Sequence, residues 1–323
     1  MRSLLLLCLM TLVSLRSALA ETFTSYPTKP IQLVVGLPAG TDPDIVARKL
    51  AAGLGEMLGQ PVIVVNKPGV GGLLAMEQVA NAPPDGYTIG LGFPANMAAS
   101  PLLYQRPRYD VEKDLAPIGL IVRAPWVLYV SAQVPAKTMA EFIALAKAEP
   151  GRLTYVTTGI GGAQHLSMEL LQTLTGTQLK HVPYGASNWV NDLLGGRVDT
   201  TIWGVGNLVE HVRNGKLRAL AVSNGASRSD LLPDTPTFAE VGFAAFNVQT
   251  WVGLTASSGV PKEIQNKLAT AMQKVVKTAA FRDFSAGRGM TAVGDTPHEF
   301  SKFLASERVL WKKVIADGNI RLE

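Results

Sequence analysis

Residues 31–50 read "IQLVVGLPAGTDPDIVARKL". The leading "IQLVVGL" is an apolar, β-rich run of the kind that makes a buried strand. Beyond the turn, "DIVARKLAAGLGEMLG" carries Val46, Leu50, Leu54 and Leu58 at every fourth position, one face of a helix, and Gly59 supplies its stop. A strand handing over to a helix through a glycine-bearing turn is the unit of an α/β fold. The turn is shaped like an anion site, yet it holds two acids, Asp42 and Asp44. Asp42 is a good N-cap and Pro43 suits the first helical position, so the Asp42 carboxylate is expected to accept from backbone N–H groups of its own helix. Pro43 has no N–H, which leaves Gly40, Thr41 and Asp42 as the expected donors to a ligand. Were Asp42 to point at the ligand instead, it would repel a carboxylate and favour a hydroxyl, an ammonium or a bridging water.

The same alternation recurs. "PVIVVN" from Pro61, "YTIGLGF" from Tyr87 and "IGLIVRAPWVLYVS" from Ile118 read as further buried strands. A second unit follows: "LTYVTT" from Leu153, a helix "AQHLSMELLQTLTG" from Ala163, "LKHVPY" from Leu179, a helix "SNWVNDLLGG" from Ser187, then "VDTTIWG" and "LRALAVS". Strands separated by helices imply parallel sheets. After "FNVQTWVGLTA" from Phe246 the chain is mainly helical, with "PKEIQNKLATAMQKVVK" and "TPHEFSKFLASERVLWKKVI" expected to return to the first unit. The partition is therefore 21–124, then 125–250 as a second domain, then 251–323 completing the first. Crossings near Ile118–Ser131 and Phe246–Ala256 would make a two-strand hinge.

Met1–Ala20 combines a basic Arg2, the apolar run "LLLLCLMTLV" and the small-residue exit "ALA", which reads as a secretory signal peptide cleaved after about Ala20. Its apolar run is well short of the roughly 20 residues that span a bilayer. Cys8, the one cysteine, would leave with it, so the exported chain could form neither a disulfide nor a thiolate metal site. Formal charge is +5 with basic and acidic residues mixed along the chain, which is no nucleic-acid signature.

For catalysis the nearest candidate is Ser167 beside His165, but G-x-S-x-G is absent, and residues two apart on a helix face different directions. His165, His181, His211 and His298 show no HxxxH or HExxH pairing, so no metal site is expected. "GVGGLLA" and "GIGGAQH" complete neither a dinucleotide nor a Walker fingerprint, so no cofactor is expected. What remains is glycine-rich turns entering helices at Gly40–Asp44, Gly69–Leu73 and Gly159–Ala163. Helix N-termini carry partial positive charge and free N–H groups, and two of them facing one cleft would clamp an acid.

Read together, "YPTKPIQLVV", "DIVARKLA", "LGQPVIVVNKPGVGG", "APPDGYTIGLG", "YDVEKDLAPIGLI", "HVPYGAS", "DLLGGRVD" and "GKLRALAVS" resemble the extracytoplasmic solute receptors of tripartite tricarboxylate transporters, the Bug receptors, over nearly the whole mature chain. The resemblance implies a type II periplasmic-binding-protein fold, in which two α/β domains close like jaws on a small carboxylate. It also implies a periplasmic location, no chemistry performed, and delivery to a membrane permease. A monomer is expected. The ligand loops carried over are Leu37–Asp42, with Gly40 and Thr41, and Thr158–His165, with Gly159, Gly161, Ala163 and Gln164; Tyr184 also follows the family pattern. His165 has an equally good reading as a packing residue. Two departures stand out. Gly36 and Thr41 replace a proline and a glycine of the family's first loop, and Trp203 stands where an acid is frequent. Trp203 either fills core or lines the pocket. In the pocket it would stack on an aromatic ligand while removing a partner for an ammonium, and Phe93 would add a second apolar wall. Aromatic or hydrophobic carboxylates thus rank above amino acids, with dicarboxylates and citrate-like acids open. The rival readings are a secreted hydrolase using Ser167 and His165, and a binding protein serving a signalling partner.

Overall fold

A computed structural model describes residues 26–104, 107–184, 189–318 and 320. The expected leader, residues 1–20, lies outside the described residues, as does Ser187, where the helix "SNWVNDLLGG" was expected to begin.

The opening stretch folds as its pattern predicts. Strand β1, Ile31–Val35, buries all but Gln32, and helix α1, Asp42–Leu58, buries Val46, Ala47, Leu50, Ala51 and Leu54. Gly59 ends α1 in the left-handed region (φ 70°), its N–H donating to Gly55. Strand β2, Val62–Asn66, and, after helix α2, Leu73–Ala80, strand β3, Thr88–Gly92, flank β1 in parallel, with Leu33 opposite Val64 on one side and Ile89 on the other. Parallel neighbours need a crossover, and α1 and α2 supply it.

Strand β4, Leu115–Ser131, then runs through two sheets. Its residues 115–125 pair with β9, Gln249–Ser257, and its residues 126–131 pair with β7, Thr200–Gly204, and β8, Leu217–Val222. Between them the chain forms helix α3, Met139–Ala148, strand β5, Thr154–Thr157, helix α4, Ala163–Thr175, strand β6, Lys180–Pro183, helix α5, Trp189–Leu194, and, after β7, helix α6, Val205–Arg213. Strands β5, β6 and β7 are again parallel. The sheets as a whole are mixed, which corrects the expectation of parallel ones: β9 pairs antiparallel with both β3 and β4, and β4 pairs antiparallel with β7 and β8. The antiparallel pairs all involve β4 or β9, the two strands that carry the chain from one sheet to the other and back.

Past β9 come helix α7, Lys262–Val276, helix α8, Ala279–Ala286, the short strand β10, Thr291–Ala292, and helix α9, Pro297–Asp317. Helix α7 packs on α1 and β4, closing a core around Leu33, Leu50, Leu254 and Leu268. Helix α9 starts from a capping box, Thr296 with Glu299, and touches both β4 and α4, so it does not serve the first sheet alone. Its Phe300 meets Trp251 edge to face at 5.7 Å.

Candidate functional site

A cavity of about 590 Å³ opens where loops from the two sheets face each other, within the usual range for a small-ligand site. Its floor comes from the passes between sheets: Val122, Ala124 and Trp126 of β4, and Thr250, Trp251 and Val252 of β9.

Three helices start at its wall. The first is α1. Its N-cap is Thr41, in an extended conformation, with Asp42 as the first helical residue and Pro43 after it. This corrects the expected arrangement by one residue, and Asp42 does not cap its helix. Thr41 does not cap it through its side chain either: its hydroxyl accepts from no N–H of the helix and donates to Pro38 O at 2.8 Å. The acid bonded to the turn's backbone is Asp44: Gly40 N–H donates to it at 2.9 Å, so Gly40 is not free to donate to a ligand. Asp44 is buried and also receives Arg48 through two bonds of 3.0 Å and Asn66 at 2.8 Å. Burial pushes its carboxyl up, but the Arg48, Gly40 and Asn66 donors outweigh burial and hold it below the ordinary range. Asp42 instead lies on the cavity wall, with Arg288 Nη1 3.5 Å from its Oδ1 and the Asn207 side chain beside it. Burial raises its carboxyl above the ordinary range, against the lowering pull of Arg288 and Asn207.

The second start is α4. Its N-cap, Gly162, offers no side chain, and Thr158, Gly159, Ala163 and Gln164 line the cavity around it. Gly159 and Gly161 hold φ of 147° and 75°, conformations that side chains resist, so the loop depends on glycine here. Gly161 and His165 are not on the wall. The Gly161 N–H donates to His165 Nδ1 at 3.1 Å, and the His165 ring stacks on His181 at 4.2 Å, with Tyr155 4.8 Å from His181 and 6.3 Å from His165. Thr157 Oγ1 lies 2.6 Å from His181 Nε2 and accepts from Gly159 N–H at 3.1 Å. Burial pulls both imidazoles down to about 4, so they are neutral near pH 7 and brace the loop from behind. Tyr184 also sits away from the wall, its hydroxyl donating to Asp192 at 2.6 Å.

The third start, α6, was not foreseen. Gly204 is its N-cap, again without a side-chain cap, and Val205, Gly206 and Asn207 line the cavity. The available signal was Val205, Leu208, Val209 and Val212 at helical spacing directly after a glycine. Gly206 is required for contact: a Cβ there would sit 2.5 Å from the Arg288 carbonyl oxygen. Arg288, between α8 and β10, was likewise missed.

Leu37, Phe93 and Trp203 complete the expected set on the wall. Trp203 packs against Trp189 with ring centroids 4.4 Å apart. The Trp126 indole N–H is buried without a hydrogen-bond partner, whereas that of Trp251 donates to Glu307 at 2.8 Å. The Ser167 hydroxyl is buried with no partner, off the wall and unbonded to His165, whose Nδ1 is taken by Gly161; the pair has no geometry for nucleophilic attack.

Comparisons with known proteins agree with this geometry. A family model described as "Tripartite tricarboxylate transporter family receptor" matches residues 46–320. The Bordetella pertussis protein BugT is 34% identical over 301 residues, covering 93% of this chain and 92% of its own. Among solved structures, an R. palustris protein with adipate superposes with a TM-score of 0.84 at 32% identity, covering 92% of this chain and 99% of the other. MatC from Rhodopseudomonas palustris with bound malate gives 0.82 at 29%, covering 90% and 100%. The periplasmic binding protein BugD gives 0.82 at 31%, covering 92% and 100%.

Proposed function

The chain belongs to the tripartite tricarboxylate transporter receptor family, and from that premise we propose that its cavity captures a small organic carboxylate and delivers it to the membrane permease of such a transporter. Membership makes it a solute-binding protein of the periplasm. The observation that carries the reading is the convergence of three helix starts, α1, α4 and α6, on one cavity, none capped by a side chain. First-turn N–H groups have no partner within their own helix, and the helix dipole adds positive potential there. Together they offer what a carboxylate requires, and adipate and malate in two similar proteins belong to that chemical class.

The finer parts of the proposal follow from this role. Residues 21–124 with 251–323, and residues 125–250, act as two jaws that swing about β4 and the chain entering β9. The contact of Asp42 with Asn207, which lies across the cleft, is made when they close, whereas Arg288 belongs to the same jaw as Asp42. The protein works as a monomer, is released by cleavage after about Ala20, and performs no chemistry on what it binds. A thermal-shift series against mono- and dicarboxylates tests the receptor role. A ligand at 100 times its dissociation constant adds about 2.7 kcal/mol of stability. A panel in which no carboxylate raises the melting temperature, and none gives heat on titration, would refute it.

A further inference from the structure

Taking the carboxylate-receptor reading as given, we infer that the preferred ligand is a monocarboxylate carried on an aromatic ring. The wall carries four of the chain's five tryptophans, Trp126, Trp189, Trp203 and Trp251, together with Phe93 and Tyr104. Trp126 and Trp251 come from the floor strands, while Trp189 at the start of α5 and Trp203 on β7 form a tilted pair at 4.4 Å. Trp126 and Trp251 are almost wholly buried beneath the floor, so the flat apolar contact comes from the part-exposed Trp203 and Tyr104, backed by Trp189 and Phe93, and an aromatic ring matches it by stacking where a short aliphatic chain does not.

The charges point the same way. Among the described lining residues Asp42 is the one acid and Arg288 the one base, and they face each other at 3.5 Å. An amino-acid ligand needs a carboxylate for its ammonium, but Asp42 is already held by Arg288 and Asn207. A dicarboxylate must seat its second carboxylate on another helix start, or else take Arg288 from Asp42 while standing next to that acid. Failing that, its second carboxylate would be buried among tryptophans at a large desolvation cost. One carboxylate is accommodated by the N–H groups of the helix starts, and the ring fills the apolar remainder. Adipate and malate, held by proteins only about 30% identical to this one, fix the class of the acid group but not the body that bears it.

Calorimetric titration of the purified protein with benzoate, 4-hydroxybenzoate and phenylacetate, against adipate and aspartate, tests the inference. At least one aromatic acid is expected to bind ten times more tightly than either aliphatic ligand. Trp203→Leu and Trp189→Leu, which keep apolar bulk and remove a ring face, should each weaken that binding about tenfold. Unchanged adipate or aspartate heats, or an unchanged melting curve, would show that the variants remain folded. Tighter binding of adipate or aspartate than of every aromatic acid overturns the inference and leaves the receptor role intact. Aromatic affinity unaffected by both substitutions also overturns it. Silence from all five ligands would instead count against the receptor reading itself.

Discussion

Behind the Leu37–Asp42 loop stands an ionic network, Asp44 with Arg48 and Asn66; behind the Thr158–Gln164 loop stands a stack of rings, Tyr155, His181 and His165. Both loops use the same device, a backbone N–H anchored on a side chain four residues later: Gly40 on Asp44 and Gly161 on His165. Both then release a helix without a side-chain cap at the cavity. The acceptor is a carboxylate in one loop and a neutral imidazole in the other. A shared backbone geometry can therefore rest on supports that give way to acid in different pH ranges.

The comparison breaks most readily at Asp44. Asp44→Ala removes the acceptor for Gly40 and Asn66 at a buried site, and about 2–4 kcal/mol of stability should be lost in urea unfolding. Arg48 is more than half exposed, so the ion pair itself adds little and the buried hydrogen bonds carry the effect. A loss below about 1 kcal/mol would mean that the first loop stands without its network.

Acid should separate the two loops next. The folded-state values of His165 and His181 lie near 4, below the ordinary 6.5, so the unfolded chain takes up protons first as the pH falls. Their contribution is complete above about 6.5 and is lost progressively down to about 4. Asp44 is held below 3.8, so its contribution persists until the pH falls beneath that value. Melting temperature should therefore decline between pH 6.5 and 4, with hydrogen exchange rising first in residues 157–165. His165→Asn keeps an acceptor for Gly161 without a titrating ring, and should flatten part of that decline. Equal loosening of both loops at pH 5 would erase the distinction.

At the cavity the effect is smaller. Ionised Asp42 opposes an incoming carboxylate, so Asp42→Asn should tighten carboxylate binding three- to tenfold, on the order of 1 kcal/mol. Because burial raises the Asp42 carboxyl, wild-type affinity should also climb as falling pH begins to protonate it, and the variant should lose that slope. Weaker binding by the variant in calorimetry would show that Asp42 is needed to hold Arg288 in place. Smallest of all, Thr158→Ala removes an exposed 3.2 Å bond to Gln164 and should cost about 0.5 kcal/mol in binding.

Much of this was legible in the sequence because it is local. Alternating apolar runs and fourfold spacing gave the strands and helices, and glycines before a helix marked two of the three starts. Long-range contacts were not legible. Asp42 and Asp44 are equivalent as local capping candidates, and the choice between them is made by Arg48 and Asn66 on one side and Arg288 and Asn207 on the other. The fate of His165 depends on His181, sixteen residues on and in another element, which captures its ring face. Helix α6 escaped notice because Gly204 and Val205 continue the apolar run of β7, with no polar residue to announce a new start. The antiparallel passes follow from tertiary routing, which periodicity does not encode.

The placement of the tryptophans also gives the protein a built-in optical reporter. Four indoles line the cavity, although Trp251 is as fully buried as the fifth, Trp311, and both donate to Glu307, at 2.8 and 3.2 Å. Emission excited at the indole band is thus weighted toward the cavity, with Trp311 as a steady background. Occupancy should be visible in the unlabelled protein as quenching or a spectral shift, and single Trp→Phe replacements would resolve which wall the ligand touches.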